Sequence, residues 1–184
     1  MRSRTLIIAA VLSTGAAGVL VAENFDRLRT FLSGYEEPPA VSTVGRGTFE
    51  ATIDEDAMEI RYRLSYANLE TPATQAHIHF GQRRTNGGIS AWLCGNPPAV
   101  NPPAGTPLCP PTTGTVTGTI EPEDVIGPAN QGIEPGSFAE LVRAIRAGVT
   151  YANVHTTRFP GGEIRGQLPG HNRRDHDDDS DSDR

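Results

Sequence analysis

The chain has 184 residues, a formal net charge of −6 at pH 7 and two cysteines. That length bounds one domain of ordinary size once the atypical ends are set aside, and excludes two domains with separate cores. Its basic residues are all arginine and are not interleaved with aromatic residues in basic stretches, so no nucleic-acid partner is expected.

The chain opens on Met1-Arg2-Ser3-Arg4, a short basic start, followed by an apolar, small-residue stretch from Thr5 to Ala22. Residues 1–22 therefore read as a secretory signal peptide, with small-residue cleavage sites at Thr14-Gly15-Ala16 and Leu20-Val21-Ala22. The alternative is an uncleaved membrane anchor, since about 18 apolar residues barely span a bilayer. Only in that case is a membrane a partner. A domain is expected over residues 25–169.

Within that domain, Phe49, Ala51 and Ile53 alternate with Thr48, Glu50 and Thr52. Ile60, Tyr62, Leu64 and Tyr66 alternate with Glu59, Arg61, Arg63 and Ser65. Asp54-Glu55-Asp56 supplies a turn between them, which predicts a hairpin with one apolar and one charged face. Further strands are predicted over residues 73–81, 89–94, 113–120, 149–156 and 163–168. A short helical turn is expected at Glu121-Pro122-Glu123-Asp124. A helix starts at Ser137-Phe138-Ala139-Glu140, which has capping-box spacing, and carries its apolar stripe on Phe138, Leu141, Val142 and Ile145. Gly148 is placed to stop it in the left-handed conformation. The fold class expected is all-β: a Greek-key antiparallel β-sandwich with one short crossover helix. After residue 169 the chain runs from His171 to Arg184 without an apolar residue, and residues 170–184 are expected to be a disordered acidic tail.

An exported chain with two cysteines implies one disulfide, Cys94 to Cys109. It would close a loop already stiffened by Pro97, Pro98, Pro102, Pro103 and Pro107. A pair of thiol metal ligands is the other reading of the same cysteines.

The residue pattern richest in chemistry is Gln75-Ala76-His77-Ile78-His79-Phe80. Side chains at i and i+2 of a strand share a face, so His77 and His79 point the same way. His155 lies on another predicted strand, in Tyr151-Ala152-Asn153-Val154-His155-Thr156. Three imidazoles with an open fourth position suit zinc or copper. Gln75, Asn153, Glu163 and Arg165 fall where they would orient those rings, with Glu163 as a partner for His155 or Arg165 as a guide for an anion, while the first reading of Glu163 and Arg165 is a plain cross-strand ladder. The competing reading keeps the histidines as polar residues bonded across the sheet. Pro160-Gly161-Gly162 makes a tight turn before Glu163, Arg165 and Gln167, which share one face, while Ile164 and Leu168 share the other. In Glu36-Glu37-Pro38-Pro39 the prolines extend the backbone, so that one carboxylate can project into a site, while the first reading of the segment is a solvent-exposed edge. No nucleophile stands beside a base, and nothing supports a hydrolase triad.

Four segments in order resemble the CHRD domain family. They are Leu32 to Val41 around Tyr35-Glu36-Glu37-Pro38-Pro39, Ala76-His77-Ile78-His79, Tyr151 to Thr156, and Pro160 to Leu168. The module takes its name from chordin, an extracellular protein that binds growth factors, and is widespread in bacterial secreted proteins. The resemblance implies a secreted or cell-surface module, periplasmic in some hosts, whose partner is an extracellular protein or matrix component. Ala76-His77-Ile78-His79-Phe80-Gly81 is also similar to the His-x-His strand of copper/zinc superoxide dismutases. The dismutases need a bridging histidine and further metal ligands in a long loop, and no histidine stands between Gly81 and Val154. The sequence therefore points first to a non-catalytic binding or structural module with one histidine-held metal ion. A mononuclear copper redox enzyme is the alternative.

Overall fold

A computed structural model describes residues 26–170 of the chain. The leader segment and the acidic tail lie outside the described residues. Eight strands form: β1 (Asp26–Ser33), β2 (Arg46–Asp54), β3 (Glu59–Ala67), β4 (Ala73–Phe80), β5 (Gly88–Gly95), β6 (Gly114–Ile120), β7 (Thr150–Thr156) and β8 (Ile164–Gln167). They join in one sheet in the order β5-β4-β7-β8-β1-β2-β3-β6, and every pairing is antiparallel. The sheet curls so that its two halves face each other. Leu28, Phe49, Ile60 and Leu64 from one half share a core with Ile78, Leu93, Val154 and Ile164 from the other. The hydroxyl of Tyr62 on β3 bridges the halves by donating to the Leu93 carbonyl on β5 at 2.7 Å. The links β3 to β4, β5 to β6 and β6 to β7 cross between the halves, as Greek-key connections do. The helix α1 (Phe138–Arg146) sits in the last of them.

The predicted hairpin pairs in the register that its alternation demands, with Phe49 opposite Leu64, Ala51 opposite Tyr62 and Ile53 opposite Ile60. All six side chains are buried. β1 is an additional strand beyond those predicted. Its Leu28 and Leu32 face the core while Arg27, Arg29 and Phe31 are exposed, and its eight residues pair in register with β2. The helix stands where it was predicted, but its start differs. Ser137 makes no side-chain cap, and Glu140 pairs with Arg143 one turn on instead of reaching back. An exposed carboxylate finds an arginine at i+3 at least as favourable as a return to the cap. The reciprocal arrangement occurs instead at the short 3₁₀ turn Pro122–Asp124, where Asp124 accepts from the Glu121 amide at 3.0 Å. Gly148 takes φ +68°, the left-handed stop that was expected.

Cys94 and Cys109 are joined in a disulfide with Cα atoms 5.1 Å apart, and both are buried. Asn96 holds the same loop. Its amide nitrogen donates to the carbonyls of Ala73 and Cys109, each at 2.9 Å, and its oxygen accepts the Cys109 amide at 3.0 Å. Replacing both cysteines with alanine should lower the stability measured by urea unfolding by about 3 kcal/mol, the chain-entropy value for a loop of this length. A loss below about 1 kcal/mol would show that Asn96 fixes the loop without the covalent link.

Candidate metal centre

β4, β7 and β8 lie side by side, and their register puts an unusual set of side chains on one face. Gln75 is opposite His155, His77 opposite Asn153 and His79 opposite Tyr151; Asn153 is opposite Arg165 and Tyr151 opposite Gln167. Period-two alternation sends Ala76, Ile78, Ala152, Val154 and Ile164 to the other face, where they enter the core. The polar face is not wet. His77, His79, Asn153, His155, Glu163 and Arg165 are all buried, with Arg165 only 1 % exposed. Against β5 the ladder slips twice, between Ala76 and His77 and between Ile78 and His79. Bulges of this kind re-aim side chains next to functional sites. Here the slips bring Trp92 opposite His77, with the two rings perpendicular and their centroids 4.3 Å apart.

The three imidazoles meet. One nitrogen from each of His77, His79 and His155 lies within 4.8 Å of the other two, and His77 Nδ1 is 3.3 Å from His155 Nε2. A tetrahedral ion with ligands at about 2.0–2.1 Å separates its nitrogens by roughly 3.4 Å. The closest pair already has that spacing, and small ring rotations would close the rest. Backbone carbonyls hold the outer nitrogens: His79 Nδ1 is 3.0 Å from the Gly87 oxygen, and His155 Nδ1 is 3.0 Å from the Pro160 oxygen. A carbonyl only accepts, so each Nδ1 carries the proton and each Nε2 keeps its lone pair. His79 Nε2 and His77 Nε2 are buried without any hydrogen-bond partner.

The surrounding residues take roles different from some of those expected. Glu163 faces away from His155. Its Oε1 accepts from the Thr43 hydroxyl at 2.8 Å and the Glu70 amide at 2.9 Å, tying the loop before β2 to the link before β4. The Pro160 carbonyl does for His155 what Glu163 was expected to do. Arg165 lies over the Tyr151 ring at 3.4 Å and donates to the Gln82 carbonyl at 3.2 Å, while its Nη1 is buried without a partner. Tyr151 stacks on His79 with ring centroids 4.8 Å apart. Asn153 turns from the histidines to donate to Glu37, at 3.1 and 3.2 Å to its two oxygens. Gln75 is half-buried beside His155 in the ladder.

Glu37 is the carboxylate that projects inward, while Glu36 turns outward to Arg83 at 2.5 Å. Glycine is required at residue 162, where a Cβ would lie 2.6 Å from Glu37 Oε1 and φ is +130°. A cleft of about 370 Å³ opens here, lined by Glu37, Pro38, Phe159, Pro160 and Gly162. It runs past the same Pro160 whose carbonyl holds His155.

An antiparallel all-β domain with a buried, histidine-bearing sheet face is the class that this geometry defines. A CHRD domain model matches residues 28–168, most of the chain, and the chain belongs to that family. No curated protein and no solved structure matches it. The likeness to dismutases therefore rests on the His77-Ile78-His79 strand motif alone.

Burial, reinforced by repulsion from His155 and His79, pushes the His77 ring down to about 2 from an ordinary 6.5. Burial likewise lowers His79 and His155 to about 4 each, against the pull of their carbonyl partners. Burial lifts Glu37 from 4.5 to about 7, although Arg165 and Asn153 oppose the rise. Between pH 6.5 and 4 the unfolded chain thus binds three imidazole protons that the folded chain refuses. The folded chain keeps one extra proton, on Glu37, between pH 4.5 and 7. The imidazoles outnumber the carboxyl, so the metal-free protein should lose stability as pH falls from 6.5 toward 4. The Glu37→Gln variant, lacking the opposing proton, should show a steeper fall. Urea midpoints measured across this range check both; a flat profile would mean that the rings are hydrated and charged.

Proposed function

We propose that this protein is an exported, non-catalytic binding module whose histidine cluster holds one zinc or copper ion. The observation that carries the metal reading is the tautomer set by the fold. Carbonyl bonds at Nδ1 of His79 and His155 leave two Nε2 lone pairs facing inward beside His77 Nδ1. This is how protein-bound metal ligands are usually oriented from behind. Without an ion, His77 Nδ1–H donates to His155 Nε2. With one, His77 would switch tautomer: its single proton moves from Nδ1 to Nε2, beside Trp92, and Nδ1 offers the ion a lone pair. The ion would satisfy the buried His79 Nε2 lone pair, which has no partner in this dry pocket, and take the place of the His77–His155 hydrogen bond. The family, the disulfide and the leader-like start support export, with an extracellular or cell-surface protein or matrix component as the partner.

Trp92 is the only tryptophan in the chain and lies against His77, so it reports on the site. Adding Cu²⁺ to the metal-free protein should quench its fluorescence at one equivalent, and Zn²⁺ should compete the quenching away. The His77→Ala/His79→Ala double variant, checked for folding by circular dichroism, should bind neither ion. Equal and negligible uptake by both proteins would remove the metal centre. The buried, unpartnered Nη1 of Arg165 is the feature that favours a redox role. Superoxide turnover by the copper-loaded protein, lost in Arg165→Met, would replace the binding reading with that one.

A further inference from the structure

The outer face of the β1-β2-β3 layer carries a regular array of arginines, and we propose that this face binds a linear acidic polysaccharide. The register makes two rows. Arg27, Thr52, Arg61 and Thr119 lie abreast across four strands, and Arg29, Glu50, Arg63 and Thr117 lie abreast in the next row. At about 4.8 Å between strands and 3.4 Å per residue, the arginines stand roughly 10 Å apart across the sheet and 7 Å apart along it. All four are exposed, as is Arg46 farther along β2. Arg29 pairs with Glu50 at 3.2 Å and Arg61 with Glu59 at 2.6 Å, both at the surface, where such pairs hold weakly. Among the described residues Arg27, Arg46 and Arg63 have no acidic partner. On β1, β2 and β3 five cations thus share one face with three carboxylates, Glu50, Asp54 and Glu59, in a chain whose net charge is −6.

The shape fits a polymer rather than a small anion. A groove of about 480 Å³ runs between the arginine columns, lined by Arg27, Arg29, Glu50, Arg61 and Arg63. Along the same face lies a second hollow of about 690 Å³, lined by Phe31, Thr48, Ser65, Tyr66 and Thr115. Phe31 is 70 % exposed and carries the Arg29 guanidinium 5.1 Å above its ring. Arginines pair with carboxylate or sulfate groups, by two hydrogen bonds at once where geometry allows. The Thr52 hydroxyl lies between Arg27 and Arg61, Thr119 and Thr117 flank Arg61 and Arg63 on β6, and Thr48 stands beside Phe31, all placed to meet sugar hydroxyls. Phe31 offers an apolar plane for a sugar ring. A single aromatic side chain gives no ladder for stacking successive bases, so the face is unlike a single-strand nucleic-acid platform.

The inference is independent of the metal centre, which lies on the oppositely placed half of the sheet. Its test is retention of the full-length protein on immobilised alginate, a polyuronate, and on heparin, a sulfated polymer, with dextran as the neutral control. At about 50 mM salt the protein should bind one or both charged columns and pass through dextran, and the slope of log affinity against log salt should count its contacts. Arg27→Gln/Arg63→Gln should weaken binding about tenfold and reduce the slope by about two, one for each cation removed. His77→Ala/His79→Ala should bind as the parent does, which separates this result from the fate of the metal site. Passage through both charged columns would overturn the proposal. So would an equal loss in the charge-matched Arg84→Gln/Arg143→Gln control, or equally tight binding to duplex DNA.

Discussion

A sheet face made almost wholly of polar side chains is buried inside this protein, and most of its other features follow from keeping those groups satisfied. Moving a hydrogen-bonding group into a dry interior without a partner costs several kcal/mol in the worst case. Six polar or charged residues on or next to β4, β7 and β8 are taken out of water together. The fold meets that cost by tying them to backbone. His79 and His155 bond carbonyls, Glu163 receives an amide and a hydroxyl, and Arg165 rests on an aromatic ring and a carbonyl. What stays unsatisfied is confined to a few atoms, and two of these are histidine nitrogens.

The cover over this face explains the two motifs that looked least like chemistry in the sequence. The Glu36-Glu37-Pro38-Pro39 segment lays one carboxylate against Asn153 and sends its neighbour outward to Arg83. The Pro160-Gly161-Gly162 turn passes so close to that carboxylate that any side chain at residue 162 would collide with it. The same turn supplies the carbonyl that orients His155. Motifs far apart in the chain therefore close one layer over the histidines. Changing any of them would disturb the rings without touching them.

The two halves of the curled sheet use alternation to opposite ends. In β4, β7 and β8 the polar set points inward to a covered site. In β1, β2 and β3 it points to solvent, and the apolar set alone meets the core. Arg27 with Arg29 and Arg61 with Arg63 read, one strand at a time, as ordinary wet faces. Only the pairing of β1 and β3 on either side of β2 gathers them into a single basic surface, which is why no basic stretch is visible along the chain.

Local periodicity determined a good deal by itself. The predicted strand and helix positions, the shared face of His77 and His79 and the left-handed stop at Gly148 all follow from short-range patterns, and the disulfide from the presence of only two cysteines. β1 carries the same alternation, with Leu28 between Arg27 and Arg29 and Leu32 four residues on, but the exposed Phe31 breaks its apolar and polar rhythm. Other features needed the tertiary structure. It decided that β7 lies beside β4 with Gln75 opposite His155, that the ladder to β5 slips on either side of His77 and Ile78, and that Pro160 rather than Glu163 holds His155. Register between strands some 80 residues apart is set by how the apolar faces close around a common core, and a slip of one residue would turn every histidine to the other side. That choice is made by packing across the whole domain, so no single segment of the chain contains it.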